Sequence, residues 1–502
     1  MAVEVRMGWD VVVVGSGFGG AVAAGRLAAR GLRVLVLERG PWWGPERAHH
    51  GDGARREFPR GVLGMGRSVR NVRWARGDRS REAVVAADGL FELHVFDALT
   101  ALTGSGVGGG SLIYANIQAE PEADYFDGLP PELTATAMAP WYGRVRAMLE
   151  PAPLPVAQRP PGGDRFEDAA QAAEAGAVSY PDLAVYWGAE GPTRRTAQGA
   201  VQQACNHCGG CVLGCERGAK TTLDLTYLPL ALRHGAEVRP LSEVVGIGQT
   251  RGGYQVRWLD HRTGQQLQLS TPRLVLAAGT LNTLRLLFTA RDRHRAMADL
   301  PASLGRGFTG NGDSGAVMLR TGSDHRSTQG PSFRAFVPRK VAGHRFLTGE
   351  VGLPTAALGV PAWLRRRLDR TGLLISMGRA EATGTVGFDG AQVRTAMGRA
   401  DDEGLYTTID AEVQKLAAGY GAFGTWTNVA FGRRQRSLAT VHPLGGASIG
   451  RSPAEGVVDH AGQVFGHRGL YVLDGAACPG APGVPPSMTI AALAERAASL
   501  ME

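Results

Sequence analysis

Two runs of four apolar residues, Val11–Val14 and Val34–Leu37, have no polar interruption and read as strands buried on both faces. The alanine-rich stretch between them predicts a helix packed closely on those strands. Further apolar runs predict strands over 236–238 and 244–247, and a buried strand over 274–279 that ends in glycine. Alternation over 254–258 and 267–269 predicts an exposed hairpin, and helices are expected over 222–233 and 281–290. A second block, 310–435, predicts strands over 315–319 and 350–354, a hairpin over 373–388, and helices over 408–417 and 423–431. Residues 41–95 read as irregular, substrate-covering sequence. The stretch 360–370 sets Trp363, Leu364 and Leu368 opposite arginines, and is expected to pack on the protein's own surface, with a membrane-facing lid as the alternative. The chain closes with a helix over 491–500, with Pro486 suited to its first turn.

Glycine spacing turns the first pattern into chemistry. Gly15, Gly17 and Gly20 follow the first strand as G-x-G-x-x-G, and Glu38 ends the second strand, 18 residues past Gly20. Such glycines allow a tight turn, close approach of backbone to a pyrophosphate, and close packing of helix on strand. The helix N-terminus offers free N–H groups to phosphate, and the acid accepts bonds from ribose hydroxyls. The pattern predicts dinucleotide binding without separating FAD from NAD. Five glycines in seven residues, Gly104, Gly106, Gly108, Gly109 and Gly110, predict backbone pressed against something flat or anionic.

Composition narrows the class. With 502 residues, 44% of them hydrophobic and 20% charged, the chain is expected to be one large globular unit or two interwoven domains. The net charge of +8 is scattered, and the clusters Arg365-Arg366-Arg367 and Arg433-Arg434 read as solvated faces, not nucleic-acid sites. No apolar run reaches the ~18 residues a membrane helix needs, and nothing before residue 10 reads as a secretory signal. A cytoplasmic protein with reduced thiols is expected.

Four of the five cysteines, Cys205, Cys208, Cys211 and Cys215, form C-x2-C-x2-C-x3-C, the run of bacterial ferredoxins. The spacing predicts an iron–sulfur cluster, [3Fe-4S] or [4Fe-4S], with Cys215 the least firm ligand. Zinc, and free or paired thiols, are the competing readings. Cys478 stands alone and reads as a small buried residue.

Taken together, residues 15–38, 104–111 with Glu120 and Pro121, 220–228, 277–279, 310–312, 442–446, 473–475 and the helix at Thr489 and Ile490 resemble the glucose–methanol–choline (GMC) flavoprotein oxidoreductases, cholesterol-oxidase branch. The resemblance implies FAD. Gly15, Gly17, Phe18, Gly19, Gly20 and Glu38 would hold the ADP half, and Val244 the adenine. Gly104, Gly108, Gly109, Gly110 and Ser111 would lie along the pyrophosphate and isoalloxazine. Ala278, Gly279, Asp474, Gly475, Pro486 and Met488 would complete the contacts toward the ribityl chain and pyrimidine. His442, in His-Pro-Leu-Gly-Gly, matches the family's active-site histidine, which handles the substrate hydroxyl proton as hydride passes to flavin N5. Glu350 falls where cholesterol oxidases carry a carboxylate. Pro485 stands where the family carries Asn or His, so Asn116, Tyr114 or Glu350 are the candidate substitutes.

The expected architecture is α/β: a discontinuous, doubly wound, Rossmann-like FAD domain (1–45, 90–125, 200–315 and 436–502) and an α+β substrate domain built on a sheet (46–89, 126–199 and 316–435). The expected activity is oxidation of a hydroxyl on a hydrophobic, sterol- or polyketide-like molecule. Electrons would leave through the iron–sulfur cluster to an external acceptor, and transient membrane-surface contact is allowed. The alternative is flavin-dependent C=C reduction, desaturation or isomerisation; an electron-carrying or binding flavoprotein is the third reading.

Overall fold

The structure, a computed structural model, describes residues 3–4, 8–46, 55–160, 164–322, 327–427 and 437–502. A five-stranded parallel sheet lies at its centre. Its strands are β1 (Val11–Val14), β2 (Val34–Leu37), β3 (Glu237–Arg239), β4 (Leu274–Leu276) and β5 (Leu470–Val472), in the order β3-β2-β1-β4-β5. Every residue of β1 and β2 is buried, as Val and Leu runs covered on both faces should be. The strand order reverses at β1. The crevice outside the carboxyl ends of β1 and β4 is where such α/β sheets bind ligands.

Helix α1 (Phe18–Ala29) follows β1 directly, and α2 (Ala135–Leu149), α3 (Thr280–Phe288), α4 (Ala362–Leu368), α5 (Glu403–Gly419) and α6 (Ser487–Leu500) come later in the chain. Helix α6 packs against both α1 and α2.

A second, antiparallel sheet runs in the order Phe333–Val341, His344–Val351, Gly372–Gly378, Ser314–Leu319, Gly424–Thr427. One face buries Phe346 and Leu374 against Leu405, Ile409 and Val413 of α5. The other face presents Phe333, Val351 and Met377 to the crevice side.

Several expectations are corrected. Residues 41–95 are not irregular: Val69–Arg76, Arg79–Val84 and Phe91–Val95 are strands of a third sheet, continued by Leu99–Gly104 and Leu438–Thr440. Their inward positions include Arg70, Asn71 and Arg73, so a polar inner face hid the alternation. This sheet also joins 69–84 to 91–104 across the expected domain boundary at 89/90. Gly372–Gly378 and Gly384–Phe388 are not a hairpin. The second pairs instead with Arg306–Phe308 and Val393–Thr395. Gly424–Thr427 is an edge strand, not helix, as its Thr-Trp-Thr content favours; residues 428–431 and Arg433-Arg434 lie outside the described residues. Helix over 222–233 begins only at Tyr227, after a 3₁₀ turn at Leu223–Leu225. The Gly253–Asp260 and Gln265–Thr271 hairpin buries Tyr254, Val256 and Trp258. Helix α4 rests on the protein along one side, where Leu364, Arg365 and Leu368 are half-buried, while its Trp363 is 58% exposed.

Candidate active site

The glycines after β1 divide into two sets. A Cβ on Gly15 would lie 2.3 Å from the Ala277 carbonyl oxygen, on Gly19 1.7 Å from that of Leu473, and on Gly20 2.1 Å from that of Gly15. These three let α1 settle onto the sheet. Gly17, Gly110 and Gly279 instead face open space: the nearest atom to a Cβ on Gly17 is 4.0 Å away, and none lies within 4 Å at the other two. All three line a cavity of about 470 Å³ at the crevice. Gly109, at φ +52°, would bring a Cβ within 2.6 Å of Gly17 Cα, so the two glycine-rich loops meet backbone to backbone.

Phe18, Gly104, Val244, Ala278, Gly475 and Pro486 also line this cavity. Gly20, Gly108, Ser111 and Met488 do not, and support its wall. Gly108 N–H donates to Ser16 Oγ at 3.0 Å, Ser111 Oγ donates to Gly108 O at 2.8 Å, and Met488 is fully buried. At the end of β2, Glu38 Oε2 accepts from Ser16 N–H at 3.0 Å and Ser16 Oγ at 2.7 Å. Nearby, Arg70 and His261 both reach Glu243 Oε2, at 2.8 and 2.9 Å. Burial would raise the Glu243 pKa, but the His261 hydrogen bond and the charges of Arg70, Arg39 and Arg285 hold it well below the usual carboxylate range. Asp474 accepts from Thr283 Oγ1 at 2.5 Å, Gly279 N–H at 2.9 Å and Ala476 N–H at 2.9 Å. Burial outweighs these donors and pushes its pKa up to about 6. Ser487, at the start of α6, lines the cavity with its buried hydroxyl unpartnered among the described residues.

His442 lines the same cavity. Its Nδ1 is 2.9 Å from Asp313 Oδ1, which leaves Nε2 for the cavity. The cavity lining also includes the apolar residues Ile117, Leu213, Phe333, Val351, Ile375 and Met377. Pro485 lines the same cavity and brings no side-chain hydrogen bond. None of the three candidate substitutes offers a free polar group there. Tyr114 lines the cavity, but its hydroxyl donates to Thr221 O at 2.5 Å. Asn116 does not line it, although its neighbours Ala115 and Ile117 do; its amide is buried and unpartnered among the described residues. Glu350 lies on the α5 face of the antiparallel sheet, where Oε1 accepts from Tyr420 Oη at 3.2 Å and Oε2 is 3.5 Å from Arg334. Strand alternation gives Val351 to the cavity and turns Glu350 away from it.

The cysteines occupy a separate place. Cys205, Cys208, Cys211 and Cys215 are free thiols lining a second cavity of about 210 Å³. Burial pushes the Cys205 thiol up to about 12 and raises that of Cys208. Among the described residues, no three His, Cys, Asp or Glu side chains are gathered closely enough to hold a metal ion. Val212 and Leu213, inside the cysteine run, line the larger cavity.

Sequence reasoning named neither Ser16, Thr283 nor Asp313 as site residues. Ser16 lies within G-x-G-x-x-G, and Asp313 directly follows the 310–312 stretch.

Models of the GMC oxidoreductase family match residues 189–290 and 391–494, and a model of an NAD(P)-binding Rossmann-like domain matches 13–61. The chain is 31% identical to a cholesterol oxidase of Mycobacterium tuberculosis (strain ATCC 25618 / H37Rv), over 98% of this chain and 91% of that protein. The chain belongs to the GMC oxidoreductase family. It resembles the cholesterol-oxidase branch within it; a cholesterol oxidase of Acinetobacter baumannii is 27% identical over 98% of this chain and 94% of that one. The crystal structure of pyridoxine 4-oxidase from "Mesorbium loti" shares the fold, with a TM-score of 0.64 at 16% identity over 98% of each chain. As a GMC protein it is an FAD-dependent oxidoreductase. The crevice fits that cofactor: Gly17, Gly110 and Gly279 leave open the space a Cβ would fill.

Proposed function

We propose that this chain oxidises a hydroxyl group on a neutral, hydrophobic, sterol- or polyketide-like substrate, with His442 as the base. The observation that carries the reading is the Asp313-held imidazole in a cavity whose lining includes those apolar residues. An apolar chamber favours a neutral substrate, since an uncompensated charge there would lose its hydration. His442 Nε2 accepts the hydroxyl proton as the CH–OH carbon becomes a carbonyl, a role worth about 10²–10⁴ in rate. FAD, when bound, accepts the hydride from that carbon. Gly17, Glu38, Gly110, Gly279, Asp474 and the start of α6 at Pro486 would hold it. The cholesterol oxidases among its relatives make 3β-hydroxysterols the first substrates to try.

Anaerobic mixing with sterols, secondary alcohols and long-chain alcohols should bleach the flavin band with at least one of them. Bleaching by none would sink the reading and favour the alternative, flavin-dependent C=C reduction, desaturation or isomerisation. The absence of a second oxygen partner at Pro485 is what speaks for that alternative.

The route of the electrons belongs to the same proposal. The four thiols line one cavity in ferredoxin-like spacing; an iron–sulfur cluster held there would make the enzyme a dehydrogenase with an external acceptor. Anaerobically purified protein should then contain iron and acid-labile sulfide; their absence would leave the cysteines as plain thiols. A cytoplasmic location fits free thiols. No described helix is long and apolar enough to cross a membrane, and exposed Trp363 beside Arg365-Arg366-Arg367 on α4 supports transient contact with a membrane surface.

A further inference from the structure

We infer that Asp313 is the positioning residue that fixes which nitrogen of His442 carries the proton. The inference rests on the reading of His442 as the base. The Asp313 side chain is 7% exposed. Its Oδ1 faces His442 Nδ1 at 2.9 Å, and its Oδ2 accepts from Thr440 Oγ1 at 2.8 Å and from Val441 N–H at 3.0 Å. Thr440 Oγ1 in turn accepts the His442 backbone N–H at 2.8 Å. One carboxylate and one threonine therefore grip the ring and the backbone of the same histidine.

An ionised carboxylate only accepts hydrogen bonds. The ring nitrogen facing it must be the donor, so neutral His442 is protonated at Nδ1 and its Nε2 lone pair is left for the cavity. That is the tautomer a base needs. When Nε2 takes the hydroxyl proton, the imidazolium keeps its Nδ1–H on Asp313, whose negative charge offsets the new positive charge.

The segment that presents Asp313 is itself pinned. A Cβ on Gly312, at φ +61°, would meet Gly378 N at 2.7 Å, so this turn lies flat on the antiparallel sheet. Asn311 Nδ2 donates to Val484 O at 3.0 Å, and Asn311 Oδ1 accepts from Gly483 N–H at 3.1 Å. Asp313 and Asn311, two residues apart in one turn, thus hold His442 on one side and the approach to Pro485 on the other.

Asp313→Asn tests the idea sharply. The amide has one oxygen, and the Val441 N–H keeps it. The NH₂ group then faces His442 Nδ1 and demands an acceptor there, which drives the proton to Nε2. The readout is the side-chain ¹⁵N spectrum of ¹⁵N-histidine-labelled holoenzyme without substrate, with His442 identified by its loss in His442→Gln. Wild type should show protonated Nδ1 and bare Nε2; Asp313→Asn should show the reverse, with flavin content and melting temperature near wild type. With a substrate found by the alcohol panel, kcat of Asp313→Asn should fall about 10²–10⁴-fold with KM little changed.

A wild-type His442 protonated at Nε2, or an unchanged tautomer in Asp313→Asn, overturns the inference. If Asp313→Asn does not fold, the wild-type spectrum alone still decides. The tautomer is read without substrate, so a failed alcohol panel with the expected spectrum counts against the proposed function and not against Asp313.

Discussion

Lys220 Nζ donates to the carbonyl oxygens of Leu112 and Cys211, each at 2.7 Å. The first belongs to the glycine-rich loop at the crevice, the second to the cysteine run. One buried ammonium thus ties together two segments about 100 residues apart in sequence. Lys220→Met keeps the length and apolar stem but leaves both carbonyls buried without a donor. It should cost on the order of 3 kcal/mol and lower bound flavin and any bound iron together. Melting curves with flavin and iron assays check this; loss of one ligand alone would contradict the coupling.

Asp474 supplies a pH signature. Its pKa is raised by burial from 3.8 to about 6. Between about pH 4 and 6 the folded state holds the proton more tightly than the unfolded chain. Its contribution to apoprotein stability is therefore full below pH 4 and lost as pH rises through 6, amounting to about 3 kcal/mol. Asp474→Asn should flatten that part of the stability profile, measured by urea unfolding of the apoprotein from pH 4 to 7.5.

Two glycine substitutions should part company. Gly19→Ala puts a methyl 1.7 Å from the Leu473 carbonyl oxygen, and no side chain can yield there. It should fail to give soluble, folded protein. Gly110→Ala meets nothing within 4 Å in the protein itself, yet fills space at the crevice. The apoprotein should melt within about 1 °C of wild type while FAD affinity drops at least tenfold, read by fluorescence titration. Normal FAD affinity in Gly110→Ala would place the cofactor elsewhere.

Glu495 of α6 is completely buried and takes Arg26 of α1 in a fork, Nε to Oε2 at 2.8 Å and Nη2 to Oε1 at 2.7 Å, with Tyr227 Oη donating to Oε1 at 2.7 Å. Glu495→Ala breaks a paired buried charge and should destabilise by about 3 kcal/mol. Glu495→Gln, which still accepts from Tyr227, should cost less. Chemical unfolding of the two variants ranks them.

The first strands and their glycines could be read directly because Val11–Val14 and Val34–Leu37 are buried on both faces and carry no competing signal. Strand Val69–Arg76 could not, because Arg73 inside it is neutralised by Glu92, a partner from another strand. Glu350 shows a different limit. A strand pattern places it on one of two faces, but only the packed helix α5 decides which face meets the cavity. Asp313 and His442 are 129 residues apart, so nothing local in either segment announces their pairing.

The parallel sheet is closed by β5 and the crevice by the start of α6, both drawn from residues 470–500. During synthesis, Gly15, Glu38 and the second glycine-rich loop all emerge hundreds of residues before Asp474, Pro486 and Ser487. A half-made chain presents phosphate-binding glycines with no wall to hold a flavin ring. FAD capture is therefore an event of the finished polypeptide, and until then the buried valines of β1 need shelter from aggregation.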